Sequence, residues 1–108
     1  MTDLEMTRLC AEAMGWHPHA ISDKCYHNES EHRSMLTSDY DPLHDDAQVM
    51  ALVKKMKVSI YAPYKEEEWE CGVEEENMTL HGSLNNDLNR AIVECVAKMQ
   101  QAKNAPPA

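Results

Sequence analysis

Residues 58–74 read VSIYAPYKEEEWECGVE and contain two short segments in which apolar and polar side chains alternate. Alternation with a period of two is the pattern of a strand that buries one face. The segments are residues 58–62 and 69–74, and the short connection 63–68 suits an antiparallel hairpin. The pattern predicts an antiparallel strand pair whose inward face consists of Val58, Ile60, Ala62, Trp69, Cys71 and Val73.

A helix is predicted immediately before this strand pair. Asp41 followed by Pro42 is typical of an N-cap with proline at the first helical position. Asp45 and Asp46 add negative charge where the helix dipole is positive. The apolar residues that keep helical spacing are Val49, Leu52, Val53 and Met56. The pattern predicts a helix over residues 42–56.

Another helix is predicted after the strand pair, beginning near Asn86 and Asp87 and continuing to residue 101. The apolar face of this helix consists of Leu88, Ala91, Ile92, Cys95, Val96 and Met99. Residues 75–85, which contain Gly82, are predicted to form a loop. Residues 102–108, which contain two consecutive prolines, are predicted to form a flexible tail.

The amino-terminal part of the chain combines a clear helix with a stretch that is hard to interpret. Thr2 and Glu5 have the spacing of a capping box, and Gly15 is placed to end the helix, so a helix is predicted over residues 3–14. Polar residues interrupt any period between positions 17 and 38. This stretch is predicted to be a long surface loop with room for one short edge strand.

Length and composition are those of one small domain. The 108 residues include 19 acidic and 10 basic side chains, for a net charge of −9. We expect a single α+β domain over residues 1–101, in which the strand pair packs with three helices. The acidic balance argues against direct binding of nucleic acid or of an anionic membrane. A two-stranded sheet is weak alone, so pairing of sheet edges in a homodimer is also expected.

The cysteines and the amino terminus bear on the compartment. The first five residues contain two acids and no base, and no apolar segment follows, which is unlike a secretory signal. A cytoplasmic protein is therefore expected, with its four cysteines as thiols. Cys10, Cys71 and Cys95 lie on apolar stripes and are predicted to be core residues.

Three segments together resemble a known family. They are the run YDPLHDDAQ at residues 40–48 leading into MALVKK at 50–55, the strand pair that carries a tryptophan, and DLNRAIVEC at 87–95. This order is similar to the phage ABA sandwich family of small proteins from tailed bacteriophages and prophages. The resemblance implies an α/β/α sandwich, a phage origin and a bacterial host cell. It implies no established activity and assigns no functional residues.

A histidine-rich stretch raises the question of a metal site or a catalytic thiol. Zinc takes four N or S ligands, which His17, His19, Cys25 and His27 could supply. Their single-residue separations miss the usual spacing of structural zinc sites, so a polar loop is the favoured interpretation. Catalysis by Cys25 with His27 or His44 as base is less favoured, because nothing marks a turn from strand to helix that would stabilise the thiolate. No cofactor is expected.

The acidic connection and its flanks form the candidate binding surface. Seven glutamates and one lysine lie between Lys65 and Glu76. One interpretation is a solvated hairpin whose charges prevent edge aggregation. The other is a carboxylate surface that docks on a basic protein, and its candidate residues are Glu66, Glu67, Glu68, Glu70, Glu74 and Tyr61. Tyr61 projects from the sheet face opposite Trp69, which we expect the first helix to cover.

Three hypotheses for function follow. The leading one is a non-enzymatic phage accessory protein that binds a host protein to blunt a defence system. The second is a module that sequesters a small ligand such as a nucleotide, although the chain has few arginines to hold phosphate: Arg8, Arg33 and Arg90. The third is a metal-dependent enzyme that uses the histidine-rich stretch.

Overall fold

A computed structural model describes residues 1–18, 24–63, 68–74 and 80–105. Three helices lie in this part of the chain: α1 at Asp3–Ala13, α2 at Asp46–Met56 and α3 at Leu88–Asn104. A three-stranded antiparallel sheet, the first sheet, consists of β1 at His17–Pro18, β2 at Cys25–Asn28 and β3 at Arg33–Leu36. The second sheet consists of β4 at Ser59–Tyr61, β5 at Trp69–Glu74 and β6 at Leu80–Asn85. The chain therefore has the α+β class that its sequence predicts.

The helix α3 is the centre of the packing. It contacts α1, α2 and the strands β5 and β6. Its buried side chains are Ala91, Ile92, Val93, Cys95, Val96, Ala97 and Met99. The helix begins at the predicted place, with Asp87 as N-cap accepting from the backbone N–H of Asn89, and it continues through Asn104, three residues past the predicted end.

The second sheet confirms the predicted strand pair and adds a strand to it. Ile60 lies opposite Cys71 in the antiparallel register of β4 and β5. The segment predicted to be a loop at residues 75–85 instead supplies β6, which pairs with β5 along six positions from Trp69–Asn85 to Glu74–Leu80. Residues 75–79 of that segment lie outside the described part. The loop was predicted because residues such as Gly82 and Ser83 are uncommon in strands. The strand forms because pairing with β5 outweighs this local preference.

The predicted inward face of the strand pair is mostly correct. Val58, Cys71 and Val73 are buried, and Ile60 and Trp69 are partly buried against the core. Ala62 is the exception, because β4 ends at Tyr61 and Ala62 is exposed beyond it. The sheet therefore buries the face that the alternation predicts, over a shorter β4.

The first sheet corrects the prediction of a long loop between residues 17 and 38. Its central strand β2 pairs with β1 and with β3, placing His17 opposite His27 and Tyr26 opposite Met35. Asn28 fastens this sheet to the end of α1, because its buried Nδ2 donates to the carbonyl of Met14 at 3.4 Å. The strands are two to four residues long, and one of the two buried positions of β2 holds the polar Asn28, so no apolar alternation marks them in the sequence.

The caps of α1 and α2 show which local signals were correct. The capping box of α1 is present, with the Glu5 N–H donating to Thr2 Oγ1 at 3.1 Å. The predicted start of α2 at Pro42 is wrong, because Asp45 is the N-cap and its carboxylate accepts from the N–H of Gln48 at 3.0 Å. Pro42 lies in a preceding turn. Three acids within six residues offer competing caps, and local sequence does not choose between them.

Within the described residues, no helix combines the length and the apolar character needed to cross a bilayer.

Candidate functional site

The strand β6 reverses the usual placement of polar and apolar side chains. Ser83 is 6% exposed and its hydroxyl donates to the carbonyl of Ala91 on α3. Its neighbour Leu84 points to the other side of the sheet and is 60% exposed. A buried polar group beside an exposed large apolar group is informative, since burial alone would favour the opposite arrangement. Leu84 therefore marks the outer face of the second sheet as a surface of interest.

The outer face brings two exposed apolar side chains to either side of a carboxylate. Tyr61 lies opposite Glu70 in the pairing of β4 with β5, and Glu70 lies opposite Leu84 in the pairing of β5 with β6. The three side chains form one row across the sheet, because directly paired residues project from the same face. Tyr61 is 59% exposed. The row presents a negative charge between two apolar surfaces.

Next to this row the sheet has a depression. Gly72 and Gly82 are direct partners in the pairing of β5 with β6, so neither strand places a side chain there. A hollow of about 330 Å³ lies at this point, and its lining includes Ser59 and Glu74. Glycines inside strands often mark a place where another backbone or a ligand approaches closely. We call the outer residues Ser59, Tyr61, Glu70, Gly72, Glu74, Gly82 and Leu84 the acidic sheet face.

The acidic sheet face is open to solvent at Tyr61, Glu70, Glu74 and Leu84. The prediction that the first helix covers it is wrong. The reason is that α1 packs on α3, and α3 lies against the inner face of β5 and β6. The core therefore forms on one side of the second sheet.

The charges around this face are mainly negative. Glu70 and Glu74 are exposed on β5, and Glu68 is exposed just before that strand. The side chain of Lys98 reaches the edge of the face, where its Nζ donates to the carbonyl of Gly82 at 3.3 Å. Beneath the face, burial raises the pKa of the Cys71 thiol to about 11, and the nearby Glu70 carboxylate contributes to this rise.

The structure brings together only part of the binding set predicted from sequence. Tyr61, Glu70 and Glu74 share the acidic sheet face, and Glu68 lies at the start of β5. Glu66 and Glu67 lie outside the described residues. Leu84 and the pairing of Gly72 with Gly82 were not predicted from the sequence, because Leu84 and Gly82 belong to the strand β6, which was predicted to be a loop. Residues 80–85 show no apolar alternation from which this strand could have been predicted.

The histidine-rich stretch places three of its four proposed zinc ligands on one side of the first sheet. His17 pairs directly with His27, and Cys25 lies two residues before His27 on β2. His27 Nδ1 is 3.4 Å from Ser34 Oγ. His19 lies outside the described residues. The described residues contain no group of three or more His, Cys, Asp and Glu side chains that could hold a metal ion.

Of the residues proposed for thiol catalysis, Cys25 and His27 share one face of β2, and His44 lies on a different segment. Cys25 is partly buried on the strand β2, so no helix N-terminus follows it directly to stabilise a thiolate. His44 lies in the turn before α2, with its Nδ1 2.8 Å from Asp41 Oδ2. The other three cysteines are buried, as predicted, and all four are free thiols.

Comparisons of this chain with models of protein families, with curated proteins and with solved structures each found no match.

Proposed function

We propose that this protein is a non-enzymatic binding protein that docks on a basic macromolecular partner through the acidic sheet face. The observation that supports this proposal is the row in which Glu70 lies between the exposed side chains of Tyr61 and Leu84. Exposed apolar groups around a charge are typical of protein interfaces, where aromatic residues contribute much of the binding energy.

The chemistry of the row suits an arginine or lysine of the partner. The carboxylate of Glu70 would accept from the cationic head, and the aliphatic stem would lie along Tyr61 and Leu84. Glu74 adds a second negative charge on the same strand, four residues away. The hollow at Gly72 and Gly82 leaves room for the partner's backbone to approach the sheet.

The charge of the whole chain favours the same class of partner. A net charge of −9 attracts a basic protein over distances of several ångströms and repels nucleic acid. The resemblance to phage ABA sandwich proteins supplies the expected setting, which is the cytoplasm of a bacterial host. In that setting the partner is a host protein, and a role against a host defence system is the leading proposal.

Crosslinking capture from a bacterial lysate tests the proposal when the chain is compared with matched variants. The test variant E70Q/E74Q removes two charges from the acidic sheet face. The control variant E29Q/D39N removes two charges from exposed positions on the other part of the molecule. Both pairs lose the same charge, so any difference between them reports the location of binding.

We expect the wild-type chain and E29Q/D39N to capture the same protein and E70Q/E74Q to lose it. Y61A should weaken binding of that purified partner by about tenfold or more, as truncation of an aromatic anchor does. The interaction should also weaken as salt increases. Capture that is equal for all variants, or no captured protein, would contradict the proposal.

A further inference from the structure

A second concave surface lies between α1 and the segment that leads into α2, and it shares no lining residue with the acidic sheet face. This groove has a volume of about 740 Å³, which is within the usual range for small-molecule sites. The first two turns of α1 form one wall, and residues 37–44 form the other. Pro18 and Tyr26 of the first sheet complete the lining. We call it the Arg8 groove.

The charged groups of the Arg8 groove leave one cation without a carboxylate. The Asp3 carboxylate is held by Arg90, and the Asp41 carboxylate lies 2.8 Å from His44. Arg8 forms no ion pair with any described residue. Its guanidinium lies against the hydroxyl of Tyr26, whose pKa it lowers against the larger raising effect of burial.

Another acid on α1 also has a partner elsewhere. The carboxylate of Glu12, one turn beyond Arg8, accepts from Asn104 Nδ2 at 2.9 Å. Arg8 is the one lysine or arginine among the described residues that line the groove. An anion that enters the groove would therefore meet the Arg8 guanidinium.

The other residues that line the Arg8 groove include both apolar and polar side chains. Leu4 is 66% exposed, and both Leu4 and the mostly buried Tyr26 line the groove. The hydroxyls of Thr7 and Ser38 line the same space. An exposed leucine and a guanidinium without a carboxylate partner among the described residues suit a molecule with an apolar body and one anionic end.

We propose that the Arg8 groove binds a small organic carboxylate, with its carboxylate on Arg8 and its apolar body against Leu4 and Tyr26. A monoanion fits better than a phosphate dianion, because the described lining of the groove contains one arginine, no lysine and two carboxylates, those of Asp3 and Asp41. The bidentate geometry of guanidinium and carboxylate gives the site its preference over neutral molecules of the same shape.

Titration with two matched probes tests this site directly. Indole-3-acetate carries the anionic end, and indole-3-acetamide has nearly the same shape without the charge. Binding is followed by calorimetry and by chemical-shift changes at the backbone amides of residues 4–8 and 26. Inorganic phosphate is the third probe and reports whether any anion suffices. The variants are R8Q and, as a matched arginine outside the groove, R33Q.

We expect the carboxylate to bind about tenfold more tightly than the amide, with R8Q removing that difference and R33Q keeping it. E70Q/E74Q should leave carboxylate binding unchanged, which separates this site from the acidic sheet face. Equal binding of the two indoles, equal binding to R8Q, tighter binding of phosphate, or no binding of the carboxylate at about 10 mM would overturn the proposal.

Discussion

Arg90 and Asp3 lie 87 positions apart in the chain and form an ion pair with two hydrogen bonds, Nη1 to Oδ1 at 2.9 Å and Nη2 to Oδ2 at 3.0 Å. The pair joins the first turn of α1 to the first turn of α3. Parallel hydrogen bonds of this kind fix orientation as well as distance. Together with the buried faces of the two helices, the pair sets how α1 lies on α3.

The ion pair predicts a defined loss of stability in acid. The hydrogen bond from Arg90 lowers the pKa of Asp3 below its ordinary value of 3.8. Because the pKa of Asp3 is lower in the folded protein, its contribution to stability is present above pH 3.8 and is lost as the pH falls through the lowered value. Urea unfolding of wild type and D3N at neutral and acidic pH measures this contribution.

The expected result is that D3N is less stable than wild type at neutral pH and that the difference shrinks in acid. The exposed acid Asp39 provides the control, and D39N should show no such change. An equal pH dependence for wild type and D3N would mean that the pair does not contribute.

The reversed placement on β6 predicts that the polar residue matters more for stability than its apolar neighbour. Replacing Ser83 by alanine removes the hydrogen bond to the Ala91 carbonyl and should cost about 1 kcal/mol. Replacing the exposed Leu84 by serine should change the free energy of unfolding by less than about 0.5 kcal/mol. Chemical denaturation of both variants decides this, and a larger loss for L84S would mean that the register of β6 is wrong.

Three of the four thiols should be protected from modification. Burial, with a contribution from Cys95, raises the pKa of Cys10 to about 12, and burial with a contribution from Cys71 raises that of Cys95 to about 12. Cys71 is buried likewise, whereas Cys25 is partly exposed. We expect a disulfide reagent to modify one thiol rapidly in the native protein and four in denaturant. C25S should abolish the rapid phase, and rapid modification of a second thiol in that variant would contradict the buried positions.

Removing the hydroxyl of Tyr40 should not weaken the fold. Tyr40 is 7% exposed, and its hydroxyl has no hydrogen-bond partner among the described residues. The ring forms an edge-to-face contact with Tyr26 at 6.4 Å between centroids, and phenylalanine keeps that contact. Y40F should therefore unfold at the same urea concentration as wild type or at a higher one, with a gain of up to about 1 kcal/mol. A loss of stability in Y40F would reveal a partner for the hydroxyl.

The end of α2 offers a stabilising substitution. Lys57 has a φ of 56° and a ψ of 51°, which is the left-handed conformation that glycine adopts without strain. K57G should raise the free energy of unfolding by about 0.5 to 1 kcal/mol. The matched control K54G lies inside the helix and should lower it by about 1 kcal/mol. Thermal and urea unfolding test both, and a loss in K57G would contradict the left-handed cap.

Much of the helical structure is predictable because its signals are local. The capping box of Thr2 and Glu5, and the spacing of apolar residues from Leu88 to Met99, each lie within a few turns of one helix. Hence α1 and α3 were found close to their observed bounds. The start of α2 was missed, because Asp41 and Asp45 are both good caps and only the fold selects Asp45.

The strands show where local signals fail. The strands β4 and β5 can be predicted from sequence because apolar and polar residues alternate along them. The strands β1 to β3 and β6 lack this alternation and are defined by their partners. The prediction of a homodimer rested on a two-stranded sheet. With β6 as a third strand that reason is weaker, and the dimer stays a prediction that size-exclusion chromatography with light scattering can test.

The sequence by itself determined the α+β class, the three helices, one strand pair and an acidic chain with its densest negative charge around β5. Tertiary structure alone placed Glu70 between Tyr61 and Leu84, and it placed Arg8 in a groove without a carboxylate partner among the described residues. The physical reason is range. Helix caps and periodicity act between residues a few positions apart, whereas a row across three strands and a groove between distant segments depend on how the chain packs.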